Sequence, residues 1–417
     1  MPPGRQNEYR GFTPRPLMGD IRLFHGYMAR VPAVDEHEFA ALEAALAKPF
    51  VGITTDGTVR RDVYDSVAGP AAGGRTQLAT ARARDFLQTL DYADQRSAAL
   101  QPLETAHRRR WTNAFTTWLP AALMLDDLAP EQRIAALEIV RACMSAEGFA
   151  EARKVMALNE ALGDFVRLHK DTLGEWVYWF AIFGQPSETD PWGWQLMGHH
   201  LVLNCLIAGD EMVFGPTFMG AEITQIDQGP MAGTTALQSE HAVGPAFLHS
   251  LTDRQQARAI LHRSMRTADL PPELAGRVDG RHRAGAGRDN LVLPYEGLSC
   301  DELEPHQRAA LLDLIRTYVG RACEPHATLQ MELVERHIAE THFAWIGNPS
   351  ADEAFYYRVH SPVILIEFDH HAGIFLTSEE PQPFHIHTIV RLPNAGDYGM
   401  ELLRRRADPL RPLSVTY

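Results

Sequence analysis

Two histidines one residue apart, His385 and His387, carry the sharpest chemical signal in the sequence. If Phe384-His385-Ile386-His387-Thr388-Ile389-Val390-Arg391 is a strand, its period of two sends both imidazoles to one face. Neutral imidazoles presented that way suit a divalent ion such as zinc, iron, copper or manganese. A structural, hydrogen-bonded histidine pair has the same spacing, so the neighbours must decide.

Those neighbours are polar. Glu367 and Asp369 share one face of a second strand candidate, His360 lies earlier in that segment, and His370 and His371 follow it. Charges in so apolar a stretch need a ligand, an ion pair or solvent, and one shared pocket would serve several of them. His199, His200 and Asn204 form a third polar group at the start of another strand candidate. The expected metal ligands are His360, His385, His387 and His199, with His200 or Glu367 as further members of the shell. The expected catalytic groups are Glu367 or Asp369 as proton acceptor, Arg391 against an anionic substrate or transition state, and His200.

The elements that must position these residues come as two similar series. Phe86-Leu87-Gln88-Thr89-Leu90 with Asp94-Gln95-Arg96 is echoed by Phe247-Leu248-His249-Ser250-Leu251 with Gln255-Gln256-Ala257. Thr252 and Gln255 fit a helix-capping box, and Asp91 and Asp94 hold the matching positions in the first series. Leu128-Ala129-Pro130-Glu131-Gln132-Arg133 is echoed by Leu303-Glu304-Pro305-His306-Gln307-Arg308, each with proline at a first helical position. Phe183-Gly184-Gln185-Pro186-Ser187 is echoed by Ile346-Gly347-Asn348-Pro349-Ser350. After each Gly-Pro turn the periodicity shifts from helix to strand: His200 to Ile207, Met212 to Phe214, and Tyr356 to Phe368, where Pro362 suggests a bulge or edge near His360. The fold class is therefore α+β, with internally duplicated helix-rich segments each followed by antiparallel strands. Residues 1–75 form an N-terminal extension, 76–240 the first repeat and 241–417 the second, both in one compact body. The stretch from Asp279 to Arg288 is a loop that either covers a pocket or is an inert excursion. Trp176, Tyr178, Trp179, Trp192 and Trp194 fit core packing or an aromatic wall.

Composition narrows the class. Lys plus Arg total 39 against 53 Asp plus Glu, a net charge of −14 that disfavours a phosphate backbone as partner despite the local run His107-Arg108-Arg109-Arg110. Four cysteines, Cys143, Cys205, Cys300 and Cys323, none in CxxC spacing, fit single thiols in a reducing compartment and argue against a zinc knuckle. No apolar run reaches the length of a signal peptide or membrane span, so a cytoplasmic location and no membrane partner are expected. No glycine pattern for a dinucleotide or a phosphate loop is present.

The chain also resembles the DUF3500 family, a domain of unknown function. The resemblance runs from about Phe86 to Arg404. It rests on Trp192-Gly193-Trp194 leading to Gly198-His199-His200-Leu201, on Tyr356-Tyr357-Arg358-Val359-His360 leading to Glu367-Phe368-Asp369, and on His385-Ile386-His387 leading to Val390-Arg391 and Asp397-Tyr398-Gly399. It implies no particular reaction. His370-His371-Ala372-Gly373 and Phe384 depart from the asparagine-rich and asparagine-like character of related chains. The leading expectation is a metal-dependent hydrolase acting on a small, possibly acidic molecule. The alternatives are a mononuclear iron or copper oxidoreductase and a noncatalytic small-molecule binding protein, and a homo-oligomer stays open.

Overall fold

The computed structural model describes residues 8–15, 40, 43–64, 74–114, 122–167, 173–276, 280–349 and 353–407. Helices and strands interleave, so the chain is α+β. The first half runs α1 (Arg75–Thr89), α2 (Ala93–Ala99), β1 (Leu100–Gln101), β2 (Leu123–Met124), α3 (Pro130–Cys143), α4 (Ala146–Val166), and then β3 (Tyr178–Phe183), β4 (Trp192–Gly198), β5 (Leu201–Ala208) and β6 (Glu211–Ala221). The second half runs α5 (Gln238–Ser250), α6 (Asp253–Ala259), β7 (Ile260–His262), β8 (Leu298–Ser299), α7 (Pro305–Val319), α8 (Glu324–Arg336), and then β9 (His342–Ile346), β10 (Tyr356–His360), β11 (Leu365–His370) and β12 (Ile386–Arg391), closing with α9 (Met400–Ala407).

Helix starts follow local chemistry. Thr252 Oγ1 accepts from the Gln255 amide at 3.4 Å while Gln255 Oε1 accepts from the Thr252 amide at 2.9 Å, the expected reciprocal cap of α6. Pro130 and Pro305 open α3 and α7, and the side chains of Gln132 and Gln307 reach back to the Ala129 and Glu304 amides at 3.0 and 2.9 Å. The matching cap at Asp91 does not form: α2 starts after Tyr92, whose side chain caps nothing.

Among the described residues, all the strands join one 12-stranded sheet in the order β1-β3-β4-β5-β6-β12-β11-β10-β9-β7, with β2 also on β3 and β8 also on β9. β1 runs parallel to β3 and β7 parallel to β9; the remaining pairings are antiparallel. The first-half and second-half strands meet at a single seam, β6 against β12, where Gly220 lies opposite His387.

The two faces of the sheet differ. Phe180, Leu203, Tyr357, Ile366, Phe368 and Val390 face the helices and share their core with Phe86, Leu137, Leu162, Phe247 and Leu314. Their alternate neighbours, among them Val202, Phe218, Leu365 and Ile389, pack instead against Ile53, Trp111, Ala284, Leu293 and Tyr398. Trp192, Trp194 and Tyr178 are buried in the helix-side core and serve packing. Glu367, Asp369, His387 and Arg391 lie on the other face by the same alternation.

The segment from Tyr356 to Phe368 departs from the expected single strand with a bulge or edge near His360. It is two central strands, β10 and β11, joined by a tight turn. Pro362 has no N–H for a ladder, and Ser361 Oγ accepts from the amides of Val363 and Ile364 at 3.2 and 3.1 Å, which closes the turn. His360 therefore sits at the far end of β10, paired with Leu365 and with His342, while His370 and Ile386 mark the opposite end of the sheet.

Candidate metal centre

Three histidines converge at the seam. The Nε2 atoms of His385 and His387 are 3.1 Å apart, and those of His200 lie 3.1 Å from His387 and 3.3 Å from His385. His385 and His387 project together, as the strand period requires. His200 comes from the other half of the chain, from the two-residue turn between β4 and β5 that pairs Gly198 with Leu201. Its φ of 62° is left-handed, which a side chain with a Cβ adopts only under constraint. The constraint is visible: its amide donates to Asn113 O at 3.1 Å, and its carbonyl accepts from the Gly220 amide at 2.8 Å. Gly220 also leaves room for the rings, because a Cβ there would stand 3.1 Å from His387 Cδ2 and 3.2 Å from His200 Cδ2.

All three histidines are buried, and burial together with neighbouring histidines holds each well below the ordinary imidazole pKa. They are neutral, the form that ligates. In a neutral imidazole each nitrogen either carries a proton or offers a lone pair. Three mutually adjacent Nε2 atoms cannot alternate around a triangle, so at least one contact must set two donors or two acceptors face to face. Placing every proton on Nδ1 turns all three lone pairs inward, where a cation would satisfy them, while the Nδ1 atoms of His385 and His387 are buried with no hydrogen-bond partner. With metal–nitrogen bonds of about 2.05 Å, octahedral neighbours stand about 2.9 Å apart and tetrahedral ones about 3.3 Å. The observed separations fall in that interval.

Asp369, His371 and His387 form a second buried group whose ligand atoms lie within 4.8 Å of one another, so His387 belongs to both groups. Both groups are able to coordinate a metal ion. Asp369 Oδ2 accepts from the Arg281 amide at 3.1 Å, and His371 Nδ1 meets Ala372 O at 2.7 Å.

The other expected site residues are placed differently. His199 turns the opposite way from the triad: Nδ1 meets Asn159 Oδ1 of α4 at 2.7 Å, and its ring stacks on His200 with centroids 3.9 Å apart, so it braces His200 and is not grouped with the triad. His360 packs against Tyr295, centroids 4.7 Å apart, beyond the turn that separates β10 from β11. Glu367 accepts from the amides of Arg283 and Ala284 at 2.8 Å and from the Tyr356 hydroxyl at 2.6 Å. Arg391 donates to Asp397 at 2.7 Å, to Asp289 at 2.6 Å and to Ala284 O at 2.8 Å, which engages every nitrogen of the guanidinium.

The last two contacts define what covers the site. The loop from Gly280 to Asp289 is laid across β11 and β12 and pinned by Asp369, Glu367 and Arg391 in succession. Asp289 is held further by Arg109 Nε at 2.7 Å and the Tyr398 hydroxyl at 2.9 Å. Arg109, from the basic run, is thus buried in an ion pair, while Arg110 pairs with Glu43 at 2.7 Å on the surface. The loop is bonded to the sheet along its length and is not a free surface excursion; Asp279, where it was expected to begin, lies outside the described residues. It also delivers His282, which sequence reasoning missed: a lone histidine in a Gly- and Arg-rich loop gives no sign of burial, yet this one is 3% exposed.

A family model described as "Protein of unknown function (DUF3500)" matches residues 72–400. The chain belongs to the DUF3500 family. No curated protein and no solved structure matches it. The matched span of this DUF3500 chain contains His200, His385, His387, the second group and the covering loop. Phe384, one of its local departures, packs edge-on to Tyr9 and obliquely to Phe12, with centroids 5.3 and 5.7 Å away, outside the matched span. Among the described residues, no helix is long and apolar enough to cross a membrane.

Proposed function

We propose that this DUF3500 chain is a metal-dependent hydrolase acting on a small molecule, with His200, His385 and His387 as its metal ligands. The observation that carries the reading is the triangle of Nε2 atoms, 3.1 to 3.3 Å on a side, buried and neutral with no hydrogen-bonding arrangement that satisfies it. A divalent ion held there would polarise a substrate carbonyl or phosphoryl group and lower the pKa of a water. Asp369, beside His387 and His371, is the carboxylate in place to take a proton. Glu367 and Arg391 are positioning residues that hold the cover in place. The three histidines are at most 4% exposed, so only a small substrate, admitted by movement of the cover, fits this reading.

Oxidoreduction is the second reading, and Phe218 favours it. Its ring lies against those of His387 and His200, centroids 5.1 and 6.5 Å away, and would keep bulk water from a redox-active ion. Metal identity separates the two. Elemental analysis of the full chain should find a stoichiometric divalent ion that the His385→Ala/His387→Ala double variant and the His200→Ala variant lose. Zinc or manganese supports hydrolysis and iron or copper supports oxidoreduction. A chain that takes up none of these ions removes the metal centre from the account and leaves a binding protein.

We also infer that the two halves descend from one duplicated unit. Supporting this, β1 and β7 each run parallel to the first long strand of their half, and each such strand ends in a left-handed glycine. The Gly184 amide donates to Gln101 O and the Gly347 amide to His262 O, both at 2.9 Å.

A further inference from the structure

His282 presents two ring nitrogens, neither with a hydrogen-bond partner, although the residue is buried. In any protonation state an imidazole so placed leaves at least one N–H without an acceptor, and the fold bears its desolvation. The position is not loose. The Arg281 amide on one side is held by Asp369 at 3.1 Å, and the Arg283 and Ala284 amides on the other by Glu367 at 2.8 Å. These clamps aim the ring at the triad: its centroid is 5.8 Å from that of His387 and 6.3 Å from that of Phe218.

We propose that His282 is a ligand-binding residue that donates a hydrogen bond to a small carboxylate or oxyanion seated between it and the metal of the histidine triad. The inference rests on the metal-centre reading and extends it to the substrate class. A cation on one side and an unpaired N–H on the other both favour negatively charged oxygen. It also gives a reason for the pins: they fix a covering side chain whose two ring nitrogens both have hydrogen-bonding capacity left over beside the triad.

The test uses the full chain loaded with cobalt(II), titrated with formate and followed by the cobalt absorption bands, with metal content measured on every sample. His282→Leu and His282→Ala are expected to hold cobalt as the parent does and to bind formate roughly ten- to a hundredfold more weakly, the loss of one charge-assisted hydrogen bond. His282→Gln, which keeps an N–H donor, should recover part of that affinity. Formate affinity within about twofold of the parent in either apolar variant would overturn the proposal. So would a cobalt-loaded parent whose spectrum ignores formate. A parent that binds no cobalt is a separate result: it removes the metal centre, and the metal measurement tells that failure from the failure of His282.

Discussion

The metal-centre reading turns on a single atom type, the histidine Nε2, and on the space kept clear around it. Gly220 is the residue that most directly sets that space, because a Cβ added there would also stand 2.6 Å from Ile386 O. Neither neighbour can retreat freely, since Ile386 is in the ladder and His387 is in the triad. Gly220→Ala should therefore lose much of its metal even under supplied ion, and lose about 1–3 kcal/mol of stability from overpacking. Elemental analysis beside a urea titration checks both, and a variant with full metal content would contradict the assigned crowding. At this scale the sequence was only partly legible. His385 and His387 could be read from strand period alone, but the choice of His200 over its neighbour His199 depends on one left-handed φ, which the dipeptide His-His does not announce.

Among the elements, the covering loop and strands β11 and β12 act as one device. Glu367 looked catalytic in sequence because an isolated carboxylate in an apolar strand needs a partner; the partners proved to be backbone amides of a loop more than eighty positions away, a pairing no local pattern encodes. Arg391 was read as a substrate cation for the same reason and is saturated by Asp289 and Asp397. The reversal at Ser361-Pro362 differs from the bulge or edge expected near His360, because proline marks an interruption without saying whether the chain reverses. Glu367→Gln replaces one acceptor oxygen by an N–H donor facing other donors, so the loop should loosen while the sheet persists. Hydrogen exchange of the Arg283 and Ala284 amides is expected to accelerate by roughly ten- to a hundredfold, corresponding to about 1.5–3 kcal/mol. Unchanged protection of those amides would show that the loop is held by something other than Glu367.

For the whole molecule, the notable feature is how many histidines the fold buries uncharged. Burial lowers His326 from the ordinary 6.5 to about 4, opposed only by the Met212 carbonyl, and lowers His360 to about 3, with Arg358 and His342 pushing the same way. Because these folded-state values are depressed, the unfolded chain takes up protons below pH 6.5 that the folded chain refuses. Their contribution to stability is complete above 6.5 and falls as the pH drops toward 4 and then 3. At pH 5 the two together cost on the order of 4 kcal/mol. Urea midpoints measured from pH 7.5 down to 5 should fall steadily, and a flat profile would mean that these rings find partners on protonation.

The seam between β6 and β12 has a consequence for the order of events during synthesis. His200 leaves the ribosome well before its partners, with a sequence separation of 187 from His387. At roughly 5–20 residues per second the interval is roughly ten to forty seconds. Thr13 waits longer still, since its contact with Thr377 spans 364 positions. A nascent chain therefore cannot close the triad from its first half alone. On the metal-centre reading, an ion bound by all three histidines can be held only after β12 has emerged and docked on β6, so metal capture would follow the joining of the two halves of the sheet.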